Sequence, residues 1–123
     1  MLSLAVPALF VAIPLARVMG TGATTMEEAN VLVVAAGILD GRLPHADVEY
    51  LYAPGTAWMV AGAFWTLGTS VVVERLVGLA YRLALLWGIH RLGRRWGSGT
   101  AACAAIASWV VIAPFGLVAY PWI

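Results

Sequence analysis

Residues 70–92 read SVVVERLVGLAYRLALLWGIHRL, and GRRWG follows at once. As a helix, this stretch reaches across an apolar layer of about 30 Å, so it reads as a membrane span. Its charges make that reading demanding. Arg82 falls near the middle, where a buried cation costs roughly 2.5–3.5 kcal/mol on insertion scales. Glu74 shares a face with Arg82, but eight residues of helix hold the two about 12 Å apart, too far for direct pairing. Arg82 is therefore expected to meet a partner from another helix or to face water. Glu74 and Arg75 lie near one end and are expected to snorkel.

Composition supports the same expectation. The chain has 123 residues, of which 63% are hydrophobic and 11% charged, with a mean hydropathy of +0.92. A soluble domain usually carries about a quarter charged residues. Every cation is Arg, and the formal net charge of +1 argues against an electrostatic nucleic-acid surface, which needs a clustered basic face. The single Cys103 excludes a disulfide within one chain, and a CxxC metal or redox site is absent. His45 beside Pro44 reads as a loop residue and His90 beside Arg91 as an interface residue. Neither has a second His or Cys at ligand spacing, which argues against zinc.

Other segments complete an all-α architecture. Residues 2–18, LSLAVPALFVAIPLARV, read as an anchored first span; a secretory signal is the competitor, but it lacks a basic n-region and a clear A-x-A site. MEEANVLVVAAGILDG begins polar and turns apolar. Thr25 with Glu28, or Thr24 with Glu27, fits a capping box, and Gly41 is a natural stop. This helix and TAWMVAGAFWTLG at 56–68, with Trp58 and Trp65 on one face, are too short to span and are expected along the membrane interface. The run 99–123 is a further span. The expected fold is thus an all-α membrane protein with about three transmembrane helices and two interfacial helices in an external loop. Arg91, Arg94 and Arg95 would lie on the cytoplasmic side. If 56–68 crossed as well, the acidic loop would move to that side. The chain forms a single membrane domain, 1–123, and its hydrophobic close, GLVAYPWI, is expected of the front portion of a longer protein.

Polar chemistry is concentrated in one place. Of the six acids, all but Glu74 lie between 27 and 49: Glu27, Glu28, Asp40, Asp47 and Glu49. A cluster of carboxylates can bind a divalent cation or act as general base. A plainer account is that an exposed loop must be polar and that one glutamate caps a helix. Capping explains one of Glu27 and Glu28 but not both.

The order of these features is an acidic pair, a helix ending in ILDG, then RLPHADVEYLYAPG, a short aromatic segment, and ERLVGLAYRLALLWGIHRLGRRWG. This order, over about residues 20–97, resembles the amino-terminal part of the polytopic GT-C glycosyltransferases. That family uses dolichyl- or polyprenyl-phosphate sugars and includes mannosyltransferases and lipid A aminoarabinose transferases. Its members often show an acidic pair, I-L-x-G, x-L-P-Y-x-D-h, then aromatics and P-P-G. Here His45 stands for the usual Tyr, and Ala53-Pro54-Gly55 for Pro-Pro-Gly.

The resemblance implies glycosyl transfer from a polyprenyl-phosphate sugar to an external acceptor. It makes Glu27, Glu28 and Glu49 the candidate catalytic acids, with Asp47 the competitor of Glu49. Glu27 falls where many members have Asp, which keeps the carboxylate but lengthens its reach. Asp47, Arg42, Tyr50 and Tyr52 become candidate substrate-binding residues, and Glu27 and Glu49 candidate ligands of a divalent ion such as Mg or Mn. The implied partners are the lipid-linked sugar, a lipid bilayer and the remainder of the enzyme, with no nucleic acid. A non-catalytic membrane protein or assembly subunit is the alternative, and a transporter fragment using Arg82 is a third reading.

Overall fold

The structure is a computed structural model, described here for residues 26–112. Four α-helices follow one another: α1 (Met26–Leu39), α2 (Gly55–Leu67), α3 (Val71–Gly93) and α4 (Ser98–Ile112), with a short 3-10 turn, Arg94–Trp96, between α3 and α4. Successive helices pack on one another, α1 on α2, α2 on α3 and α3 on α4.

Local chemistry sets the boundaries. At the end of α1 the Arg42 amide donates to the Gly37 carbonyl at 2.9 Å and the Gly41 amide to Ile38 at 3.0 Å. This is a Schellman closure, and it needs a left-handed residue at Gly41, whose φ is +83°. The aliphatic stem of Arg42 lies beside Gly37, filling the place of the apolar contact that usually accompanies the motif. Gly68, at φ +87°, closes α2 by donating to Phe64. Ser70 opens α3, its hydroxyl accepting from the Val73 amide at 3.2 Å, as an N-cap does.

Helical spacing builds the core. Val31 and Ala35 of α1 meet Val60, Ala61 and Phe64 of α2 and Val73 of α3. Toward the loop, Val34, Tyr50 and Ala57 form a second cluster. At the other end of the molecule α3 and α4 come close enough that a Cβ on Gly93 would lie 2.9 Å from the Ala101 Cα.

Two expectations are corrected here. Among the described residues, no helix is long and apolar enough to cross a membrane, so the architecture of transmembrane and interfacial helices is not supported, and neither is a multi-pass membrane location. The reason differs by segment. With 23 residues, α3 is about 35 Å long, but Glu74, Arg75, Arg82 and Arg91 interrupt its apolar character. Within the described residues α1, α2 and α4 run for 14, 13 and 15 residues, about 20 Å each, against about 30 Å for a span. The sidedness assigned to the acidic loop and the Arg cluster falls with the spans. The first expected span, 2–18, and the last part of the run to 123 lie outside the described residues, as do the capping threonines 24 and 25. The helical character of 26–39 and 56–68 is as expected.

Glycine substitutions should separate the tight contact from open positions. Gly93→Val should lower stability by about 1–3 kcal/mol through overpacking against α4, read as a shifted urea midpoint. Gly62→Ala, where nothing lies within 4 Å, should raise it by about 0.5–1 kcal/mol through helix propensity.

Candidate functional site

Four charged side chains on α1 and α3 are buried: Glu28 and Glu74 are 0% exposed, Arg82 1% and Arg75 7%. Glu28 sits in the first turn of α1, and the face of α1 that carries Val31 and Ala35 continues through it toward α3. Arg75 lies in the first turns of α3. Its Nε donates to Glu28 Oε1 at 2.7 Å and its Nη2 to Glu28 Oε2 at 3.2 Å. This two-point geometry is the strongest that a guanidinium and a carboxylate form. The pairing holds Arg75 above the ordinary arginine range: the hydrogen bond to Glu28 raises it most, burial works against it, and the charges of Glu28 and Glu74 add to the rise.

Snorkelling is therefore not what Glu74 and Arg75 do. Both are enclosed, and Arg75 turns inward because a buried carboxylate awaits it there. Arg82 is enclosed too and does not face water. Both Glu28 oxygens accept from Arg75, and the threonines that would complete a capping box with either glutamate lie outside the described residues. Glu27, one residue earlier and so about 100° around the helix, is exposed. The structure thus divides the acidic pair into an anchored member and a solvent-facing one.

The loop of residues 40–54 is held by its own hydrogen bonds. Asp47 Oδ2 accepts from the Leu43 amide at 2.8 Å, and the Asp47 amide donates to the Leu43 carbonyl at 2.9 Å. His45 donates its amide to Val48 at 2.8 Å and adopts φ +69°, a left-handed conformation that histidine reaches more readily than most residues. Asp47 thereby acts on the loop itself, a role that short acidic side chains commonly take in turns. Glu49 and Arg42 are exposed.

Tyr50 and Tyr52 are brought together, with ring centroids 5.8 Å apart in an edge-to-face arrangement. The His45 ring lies 6.0 Å from Tyr50 on another side. Tyr50 is 4% exposed, and burial pushes its hydroxyl above the ordinary phenol range, helped by Tyr52 and by Tyr81 of α3. Burial raises Tyr81 as well, with a hydrogen bond to Thr56 acting in the opposite direction. Loop, α2 and α3 therefore contribute phenol and hydroxyl groups to one polar spot beneath the loop.

The candidate residues thus fall into two groups, Glu28 with Arg75 between α1 and α3, and Tyr50 with Tyr52 under the loop. Glu27, Glu49, Arg42 and Asp47 face solvent. Among the described residues no three His, Cys, Asp or Glu side chains gather as ligands of a metal ion, so Glu27 and Glu49 have no third donor beside them. Sequence reasoning missed Arg75 as the partner of Glu28, and Tyr81 and Thr56 as neighbours of the loop tyrosines. The pair is separated by 47 residues, and no local spacing signals it. The adjacency of an acid and an Arg at 74–75 is the one local hint, and by itself it is equally compatible with snorkelling at a helix end.

Removing one partner of the buried pair should be costly. Arg75→Met removes the two-point cationic partner of a buried carboxylate and should lower stability by about 3–5 kcal/mol. The double variant Glu28→Leu/Arg75→Met should recover most of that loss, in a double-mutant cycle followed by chemical denaturation. The phenols give a pH test. Raised folded-state pKa values mean that their stabilising contribution is complete below the unfolded value of 10.0. It is lost as pH rises through the higher folded values. Tyrosinate absorbance should therefore develop later for Tyr50 and Tyr81 than for free tyrosine, and stability should fall across that alkaline window. Phe at both positions should abolish this dependence.

No known protein family, no curated protein sequence and no solved structure matches this chain.

Proposed function

We propose that this chain supplies the acid-bearing front portion of a glycosyl-transfer site that takes its sugar from a polyprenyl-phosphate donor. The observation that carries the proposal is the division of the acidic pair. Glu28 is fixed from both oxygens by Arg75, and this anchors the head of α1 while Glu27 beside it stays open to solvent. The order of motifs, from the acidic pair through the loop to the ERLVGLAYRL segment, gives the polyprenyl-phosphate donor its place in the proposal.

In this chemistry Glu27 is the general base. Its carboxylate takes the proton of an acceptor hydroxyl as that oxygen bonds to the anomeric carbon of the donor. The bond from that carbon to the phosphate oxygen breaks, and the polyprenyl phosphate leaves with the electron pair. A single displacement of this kind inverts the anomeric configuration. Glu28 acts through position alone, and Arg42 is the exposed cation of the loop available to the leaving phosphate. Tyr50 and Tyr52 support the loop from below. Glu49 is a second exposed acid whose part would be on the acceptor side. An assembly subunit without catalysis is the second reading, favoured by the many large apolar side chains that the helices expose, Trp58 and Trp65 among them.

The test is donor consumption by the full chain across a panel of polyprenyl-phosphate sugars. Saturable binding of at least one donor is expected of the chain itself, and turnover with an inverted product once the remainder of the site is supplied. Glu27→Gln should slow that turnover by about 10²–10⁴-fold while circular dichroism stays unchanged, because Glu27 is exposed. Neither turnover nor saturable donor binding by the wild type would sink the proposal in favour of the assembly subunit.

A further inference from the structure

The six acids of the chain end at Glu74; beyond Arg75 and Arg82 the charged side chains are Arg91, Arg94 and Arg95. All three are exposed. Arg91 closes α3, and Arg94 and Arg95 form the 3-10 turn with Trp96. The guanidinium of Arg91 sits over the Trp87 ring, 5.4 Å from its centroid. Trp87 and Trp96 are 64% and 69% exposed. No ion pair involves these three arginines among the described residues, so their charge is left for something outside this part of the chain.

The helix that leaves this turn adds a second, independent feature. α4 buries Ala101 and Ala105 on one side, with Ala101 against Gly93 of α3. Its other side exposes Ile106, Ala107, Val110 and Val111 together with Cys103. These positions follow i, i+3, i+4, i+7, i+8, so they share one helical face, and that face holds no charge. An uncompensated Arg–Trp cluster therefore lies at the head of an uncharged aliphatic stripe.

We propose that this end of the molecule docks on the phosphate-bearing surface of an anionic lipid bilayer, with the exposed face of α4 lying along it. The match is charge complementarity joined to layering. Guanidinium groups bind phosphate through paired N–H donors. Tryptophan favours the headgroup depth, and an aliphatic helix face settles at the boundary just below. A nucleic acid would satisfy the arginines and stack on the tryptophans but would leave Ile106, Val110 and Val111 in water. This docking is independent of the glycosyl-transfer proposal, since it involves neither the acidic loop nor a donor.

Vesicle flotation of the full chain tests it, comparing pure phosphatidylcholine with mixtures containing phosphatidylglycerol. Each surface Arg contributes about fivefold, so binding to the anionic vesicles should be stronger by on the order of 100-fold. That preference should shrink as salt screens the surface. The variant Arg91→Gln/Arg94→Gln/Arg95→Gln should lose the preference, and Ile106→Ser/Val110→Ser should weaken binding to both vesicle types. Equal binding to the two, or a preference unchanged by salt, overturns the proposal without reference to any variant's folding. Displacement of the wild type from anionic vesicles by an acidic helical peptide, with tighter binding to that peptide, would assign the surface to an acidic protein instead.

Discussion

Two charges removed from water, Glu28 and Arg75, organise the described part of this protein. An isolated carboxylate in that position would be costly by several kcal/mol, and the guanidinium that meets it in register offsets that cost. The pair thus joins α1 to α3 at a fixed point across 47 residues of chain, with α2 packed against both helices. Apolar contacts such as Val31, Ala35, Phe64 and Val73 are non-directional and would tolerate a shift of a helix turn. The two-point ion pair would not.

The same constraint shapes the chemistry available at the head of α1. Both oxygens of Glu28 are engaged by Arg75, whereas its neighbour Glu27 is exposed to solvent. The loop that follows is ordered in a different way, by Asp47 turning back on Leu43 and by the Schellman closure at Gly41 and Arg42. Beneath it Tyr50 joins the loop to α1 and α2 through Val34 and Ala57. Acids and aromatics that lie close together in sequence are therefore distributed by the fold over an anchored, an exposed and a buried environment.

Hydrophobicity is divided between interior and surface. Small residues such as Ala35, Ala57, Ala61 and Ala101 fill the contacts between helices, and large aliphatic side chains that raise the mean hydropathy lie outward: Val33, Leu51, Val110 and Val111 are all exposed. In four thin helices packed in series, most of each helix perimeter faces away from its neighbours. Composition alone therefore could not distinguish a lipid-spanning chain from one whose apolar faces meet other surfaces.

Local sequence determined the elements. Gly41 and Gly68 supply the left-handed closures, Ser70 the cap of α3, and the spacing of Ala57, Val60, Ala61 and Phe64 the inward face of α2, all from interactions within a few residues. The helices at 26–39 and 56–68 and the placing of His45 and Asp47 in a turn were legible for that reason. What each charge does was left to tertiary structure. Glu74, Arg75 and Arg82 read as the charges of a spanning helix with snorkelling ends, and packing turned them inward. The partner of Arg75 stands on a helix far away in sequence, and Tyr81 comes to Tyr50 from another element again. Periodicity registers which face a residue occupies; it carries no record of what the opposite helix presents to that face, and here that decided both the buried pair and the candidate site.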